Sequence, residues 1–167
     1  ALLHVAEKLL EEKAFILAEN VKDVEKATAN GMAQGMIDRL MLDDNRIEGM
    51  AEGIRQVAAL PDPVGEVTSM KQRPNGLSIG WKKVPLGVIG MIYESRPNVT
   101  ADAFALCFKA GNVVILRGGS DAFYSNSAIT KVIRAALADV KIPEDAVQLI
   151  EDTRRETVQE FMKMNQY

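Results

Sequence analysis

The stretch VPLGVIGMIYESRPNVTADAFALCFKAGNVVILRGGS, Val84 to Ser120, holds two apolar runs, VIGMIY and NVVILR, each closed by polar residues and separated by a segment of helical spacing. Runs that are apolar on both faces read as strands covered from both sides, and a helix between two such strands predicts a parallel pair. The alternation continues downstream, with a helix over about 122–138, a strand at AVQLI (146–150) and a helix over about 153–163. Strand 84–93, helix 99–110 and strand 112–117 open the series, so residues 84–167 predict an α/β unit of the βαβαβα type, its sheet carrying helices on its faces.

Upstream the grammar differs. Apolar residues recur at helical spacing from Ala1 to Gly31, which predicts one or two amphipathic helices ending at the Asn30-Gly31 pair. A further helix begins at Asp43 or Asp44 as N-cap, carries Ile47, Met50, Ile54 and Val57 on one face, and stops at the prolines of LPDPVG. These helices, residues 1–60, read as an outer layer and not as a site. Residues 64–83 read as a hairpin turning at Pro74, Asn75 and Gly76. The chain starts in mid-pattern and stops on a helix without a closing strand, so a single, incomplete domain trimmed at both ends is expected.

The formal net charge of -3 and pI near 5.3 give no general attraction to nucleic acid or to anionic lipid, which leaves small molecules or proteins as partners. One cysteine, Cys107, excludes an internal disulfide and is consistent with a reducing compartment, with the cytoplasm as the expected location. The longest apolar run, 84–93, is about half the ~20 residues of a membrane-spanning helix. His4 is the only histidine, and no second His or Cys stands at ligand spacing, so no metal site is expected.

In an open parallel sheet, ligands bind beyond the carboxyl ends of the strands, where loops splay and helix N-termini present free N–H groups. Here those ends read ESRPN, after the first strand, and RGGS, after the second. Arg117 can pair with phosphate, and Gly118 and Gly119 would let a ligand approach the backbone. The dinucleotide fingerprint G-x-G-x-x-G is missing, and an ordinary tight turn explains the glycines equally well. Arg96 and Asn98 fit a binding site or a solvated loop in which Asn98 or Thr100 caps the next helix. Residue by residue, the chain reaches a nucleotide-type α/β site and no further. Cys107, on the intervening helix, reads as a small apolar core residue. Met36, Met41 and Met50 read as helix packing, Trp81 and Tyr93 as strand aromatics packed on neighbours, and Glu151 to Glu160 as a solvated helix face.

Longer matches are more specific. RIEGMAEGIRQVAALPDPVGEV (46–67), VPLGVIGMIYESRPNVTADAFALCFKAGNVVILRGGSDAFYSN (84–126) and AVQLIEDTRRETVQEFMKMNQY (146–167) closely resemble γ-glutamyl phosphate reductase, a member of the aldehyde dehydrogenase superfamily. The resemblance implies a Rossmann-type nucleotide-binding sheet and the NADPH-dependent reduction of L-glutamyl 5-phosphate to L-glutamate 5-semialdehyde in proline biosynthesis. It implies Asn98 as oxyanion donor and Arg96 and Glu94 as substrate-binding groups. Arg117, Gly118, Gly119 and Ser120 become cofactor contacts, with Ser125 and Asn126 at the next helix either as further contacts or as caps. In NAD-linked relatives the second strand ends in Lys-Pro-x-Glu; here Arg117 and Ser120 replace the Lys and the Glu, which favours the 2′-phosphate of NADP. The family's cysteine nucleophile is implied to lie in a later segment, and the full-length enzyme to be a homo-oligomer associated with glutamate 5-kinase. A non-catalytic nucleotide-binding or interaction module is the alternative.

Overall fold

The computed structural model describes residues 1–164. Four helices lead: α1 (Leu2–Glu11), α2 (Lys13–Ala29), α3 (Gln34–Leu40) and α4 (Asp44–Ala59). The apolar periodicity of residues 1–31 resolves into two helices broken at Glu12, the second closed by Gly31 at φ +71°. Asp43 caps α4 as expected, its carboxylate accepting from the Arg46 N–H at 2.7 Å. The short α3 has no counterpart in the sequence reading.

The hairpin forms from β1 (Val67–Gln72) and β2 (Ser78–Lys82), paired antiparallel, with Gly76 at φ +85° where the turn needs a left-handed residue. It packs little against the rest of the molecule. Trp81 is 75% exposed, so the expectation that it packs on strand neighbours is corrected.

The sheet consists of β3 (Val88–Ile92), β4 (Val113–Arg117) and β5 (Val147–Leu149), all parallel, in the order β3-β4-β5. The crossovers are α5 (Asn98–Lys109) and α6 (Phe123–Asp139), and α7 (Arg155–Met162) follows β5. Helices α1 and α4 lie behind α5 and α6, so Val5, Leu9, Ile47 and Ile54 join Phe104, Ile129, Ile133 and Leu137 in one core beneath Val114 and Leu116. Cys107 belongs to that core.

Coverage of the sheet is unequal. Ile89 and Met91 of β3 face the core, whereas Val88 and Ile92 on the opposite face are 41% and 45% exposed. The expectation of a strand buried on both sides is therefore corrected among the described residues, where β3 stands at the edge of the sheet and its outer face meets α7 through the Phe161 ring over Gly90. Glycine permits that contact: a Cβ at residue 90 would lie 2.6 Å from Phe161 Cζ and the ring would have to shift. The charged segment also differs from expectation. The helix starts at Arg155, not 153, and residues 151–154 form a loop held by the exposed Asp152–Arg154 pair, which keeps the Asp152 carboxyl below its ordinary range. Residues 165–167 of the expected 84–167 unit lie outside the described residues.

Candidate functional site

The parallel register sets Ile92 beside Arg117, so β3 and β4 end together and their loops emerge on one side. The Tyr93 N–H donates to the Arg117 carbonyl at 3.1 Å and extends the ladder by one bond. Beyond it the loops interlock. Ser95 Oγ donates to Asp121 Oδ2 at 3.0 Å, and a Cβ on Gly119 would lie 2.8 Å from that same Oγ. Beneath them, Thr100 Oγ1 donates to Asn126 Oδ1 at 2.9 Å, so the 2.7 Å contact of Thr100 with the Tyr93 hydroxyl has tyrosine as donor. Burial pushes the Tyr93 pKa up to about 12, which keeps that proton in place.

Several assigned roles change in this geometry. Arg117 is only 7% exposed, and its guanidinium donates to the carbonyls of Gly118 (2.7 Å), Thr153 (2.5 Å) and Arg154 (3.2 Å). It ties the end of β4 to the loop before α7 while still lining the cavity there, and its Nε has no partner among the described residues. Gly118 and Gly119 are crowded by Asn126 and Ser95, so a side chain at either would meet protein, although the Gly119 backbone still lines the cavity. Ser125 and Asn126 are buried; neither caps α6 nor reaches a surface. Thr100 likewise caps nothing, and Asn98 is the first residue of α5 instead of its cap.

The cap of α6 comes from elsewhere in the chain. Asp23 of α2 accepts from the N–H groups of Tyr124 (3.1 Å) and Ser125 (2.8 Å) and from Ser125 Oγ (2.6 Å). Asn20, one turn earlier, donates to Ser125 Oγ and the Leu40 carbonyl, both at 2.9 Å, and accepts from the Leu42 N–H at 2.7 Å. Both side chains are buried, and together they join α2, α6 and the turn after α3.

Two cavities open around this junction. One, about 400 Å³, is lined by Glu94, Ser95, Ser120, Asp121 and Arg155 with Met32 and Met36 opposite. The other, about 460 Å³, lies between α4 and α5 and is lined by Arg46, Gly49, Met50, Asn98 and Asp102. Arg39 and Arg96 line both. The helical layer is therefore one wall of the site, which corrects its reading as outer packing; Met36 and Met41 face the cavities, whereas Met50, at the edge of one, packs in the core as expected. Among the described residues the guanidinium groups of Arg39 and Arg96 have no hydrogen-bonded or ion-paired partner, so both are available to an anion. Asn98 Nδ2 donates one hydrogen to Asp102 Oδ2 at 3.2 Å and keeps a second. On the opposing helix, Gly49 and Gly53 sit at i and i+4, although glycine in a helix interior costs about 1 kcal/mol relative to alanine. No group of His, Cys, Asp and Glu among the described residues could hold a metal ion.

The sequence profile of the aldehyde dehydrogenase family matches residues 6–167. The chain belongs to the aldehyde dehydrogenase family. Within it, the chain is 57% identical over 167 residues to the γ-glutamyl phosphate reductase of Moorella thermoacetica and 54% identical to that of Clostridium botulinum, in both cases over its whole length. The crystal structure of γ-glutamyl phosphate reductase from Thermotoga maritima superposes on 99% of the chain with a TM-score of 0.96 at 47% identity. The chain spans 40% of the length of each of these relatives. For a member of this family, Cys107 is a core residue and not a nucleophile: it is buried on α5, and burial pushes its thiol pKa up, away from the reactive thiolate. Arg39 and Asp102 were not singled out in the sequence, since a short helix and a lone acid on an amphipathic one carry no motif. Asp23 and Asn20 were missed because a cap supplied across about a hundred residues leaves no local trace.

Proposed function

We propose that this chain is the front part of the nucleotide-binding domain of an enzyme that reduces L-glutamyl 5-phosphate to L-glutamate 5-semialdehyde, releasing phosphate, for proline biosynthesis in the cytoplasm. The observation that carries the reading is the match, end to end and at 54–57% identity, to γ-glutamyl phosphate reductases. In this scheme a cysteine thiolate outside residues 1–167 displaces phosphate to form a thioester, and NADPH supplies the hydride that releases the aldehyde. Arg96 binds the anionic acyl phosphate, helped in orientation by Glu94, and the second Asn98 amide hydrogen points to the oxyanion. A nucleotide fits the loop after β4 through the exposed Ser120 hydroxyl and the half-exposed Gly119 backbone; Arg117 braces that loop from behind. Homo-oligomerisation and association with glutamate 5-kinase belong to the same reading.

The test is phosphate-dependent reduction of NADP by glutamate 5-semialdehyde in the full-length protein. Turnover that requires phosphate and prefers NADP over NAD supports the reading; NADPH binding without turnover favours the non-catalytic module. Arg96→Ala is expected to raise the KM for phosphate or for the aldehyde about 10- to 100-fold, the effect of losing one charge-assisted pair worth about 1.5–3 kcal/mol; unchanged constants for both would remove Arg96 from substrate binding. Ser120→Glu is expected to weaken NADP about 10- to 100-fold and leave NAD within a few-fold, because a carboxylate beside the 2′-phosphate adds repulsion worth up to several kcal/mol. A variant that keeps its NADP preference would contradict the placement of Ser120.

A further inference from the structure

Asp102 is a half-buried carboxylate that forms no ion pair with any Lys, Arg or His among the described residues, although Arg39, Arg46 and Arg96 line the same cavity. Among those residues its side chain has one hydrogen bond, from Asn98. Burial moves its pKa up, as expected for an acid removed from water without a counter-charge. The carboxylate faces α4 where that helix has no side chains: a Cβ on Gly53 would already lie 3.7 Å from Asp102 Oδ1, and Gly49, one turn away, lines the same cavity. A longer side chain at residue 53 would cover the carboxylate. Across the cavity, Arg46 is pinned to the carbonyls of Asp38 and Met41, whereas Arg39 is unpaired among the described residues. Among the described residues the space therefore offers one unpaired anion, Asp102, and two unpaired cations, Arg39 and Arg96. With Arg96 turned to the acyl phosphate, Asp102 and Arg39 leave the pattern that a zwitterion satisfies and a simple aldehyde does not.

We propose that the cavity between α4 and α5 holds the α-amino acid head of the substrate, with Asp102 accepting from its α-ammonium and Arg39 pairing with its α-carboxylate. This rests on the reading of the site as one for a glutamyl substrate, and it assigns the two residues that distinguish an amino-acid aldehyde from an unsubstituted one. Arg96, shared by both cavities, stands between the head group and the loop after β4, so the side chain of the substrate runs from the first cavity toward the reacting end.

The experiment compares three aldehydes in the phosphate-dependent reduction of NADP by the full-length protein: glutamate 5-semialdehyde, 5-oxopentanoate, which lacks the ammonium, and 4-aminobutanal, which lacks the carboxylate. Asp102→Asn keeps the shape of the side chain and is expected to lower kcat/KM about 30-fold for glutamate 5-semialdehyde and 4-aminobutanal while leaving 5-oxopentanoate within threefold. Arg39→Gln is expected to show the complementary pattern, losing activity on the two carboxylates and sparing 4-aminobutanal. A merely structural role for either residue would lower all three substrates in parallel, and that result would overturn the assignment alone. A wild-type protein that does not turn over glutamate 5-semialdehyde would overturn the underlying reading, and the assignment with it.

Discussion

Asp23→Ala is expected to destabilise the helical layer and α6 by about 3 kcal/mol, the upper range for stranding several buried donors at once. The substitution leaves the N–H groups of Tyr124 and Ser125 and the Ser125 hydroxyl without their acceptor, the two Ser125 donors being fully buried and the Tyr124 amide partly so. These are the second and third residues of α6, the amides that an N-cap side chain ordinarily serves, and α6 has no cap of its own. A negative charge there also faces the positive end of a 17-residue helix. Hydrogen exchange in the full-length protein locates the effect: amides 124–128 should lose protection in the variant while those of β3 and β4 keep theirs. Protection unchanged at 124–128 would mean that the cap is dispensable.

The same carboxyl carries a pH dependence whose sign follows from its surroundings. Burial raises the Asp23 pKa, and the hydrogen bonds from Ser125 and Tyr124 offset that only in part. An acid with a raised pKa binds its proton more tightly in the folded state, so its contribution favours folding at low pH and is lost as pH rises through the raised value. Asp23→Asn should remove that slope from the stability profile above the ordinary carboxylate range.

How much of this could be read from the chain alone depends on the range over which each signal acts. The strands and crossovers were legible because VIGMIY and NVVILR are local patterns and their order dictates parallel pairing; the observed bounds differ from the expected ones by a few residues. The hairpin was legible at Asn75-Gly76 for the same reason. The two-sided burial of β3 was not, because the apolar character of Val88 and Ile92 says that the strand can be covered, not what covers it. The site divides along the same line. Strand order placed ESRPN and RGGS side by side correctly, but side-chain roles in the loops were decided by partners distant in sequence: Thr153 and Arg154 occupy Arg117, and Asp23 and Asn20 occupy Ser125. Arg39 entered the site because α3 folds back over it, and nothing in QGMIDRL announces that.

Gly118 separates the two meanings that a glycine at a strand end can have. If it serves the close approach of a cofactor, Gly118→Ala should fold normally and lose NADPH affinity. The geometry argues for packing instead. Its φ is not positive, so alanine is not strained on the backbone, but the new Cβ would lie 2.1 Å from Asn126 Nδ2 and 3.2 Å from Tyr93 Cζ. Asn126 is buried and holds the Thr100 hydroxyl, so it can yield only by giving up that bond. Overpacking of about 1–3 kcal/mol, together with a stranded buried donor at about 1–3 kcal/mol, sets the expected loss near 3 kcal/mol in the absence of any nucleotide. Thermal unfolding of the full-length protein without cofactor measures it. The double variant with Asn126→Ala decides the cause: removing the amide opens the space, so the two losses should fall short of additivity by at least about 1 kcal/mol. Additive losses, or a Gly118→Ala protein of native stability that has lost NADPH, would return the glycine to the cofactor.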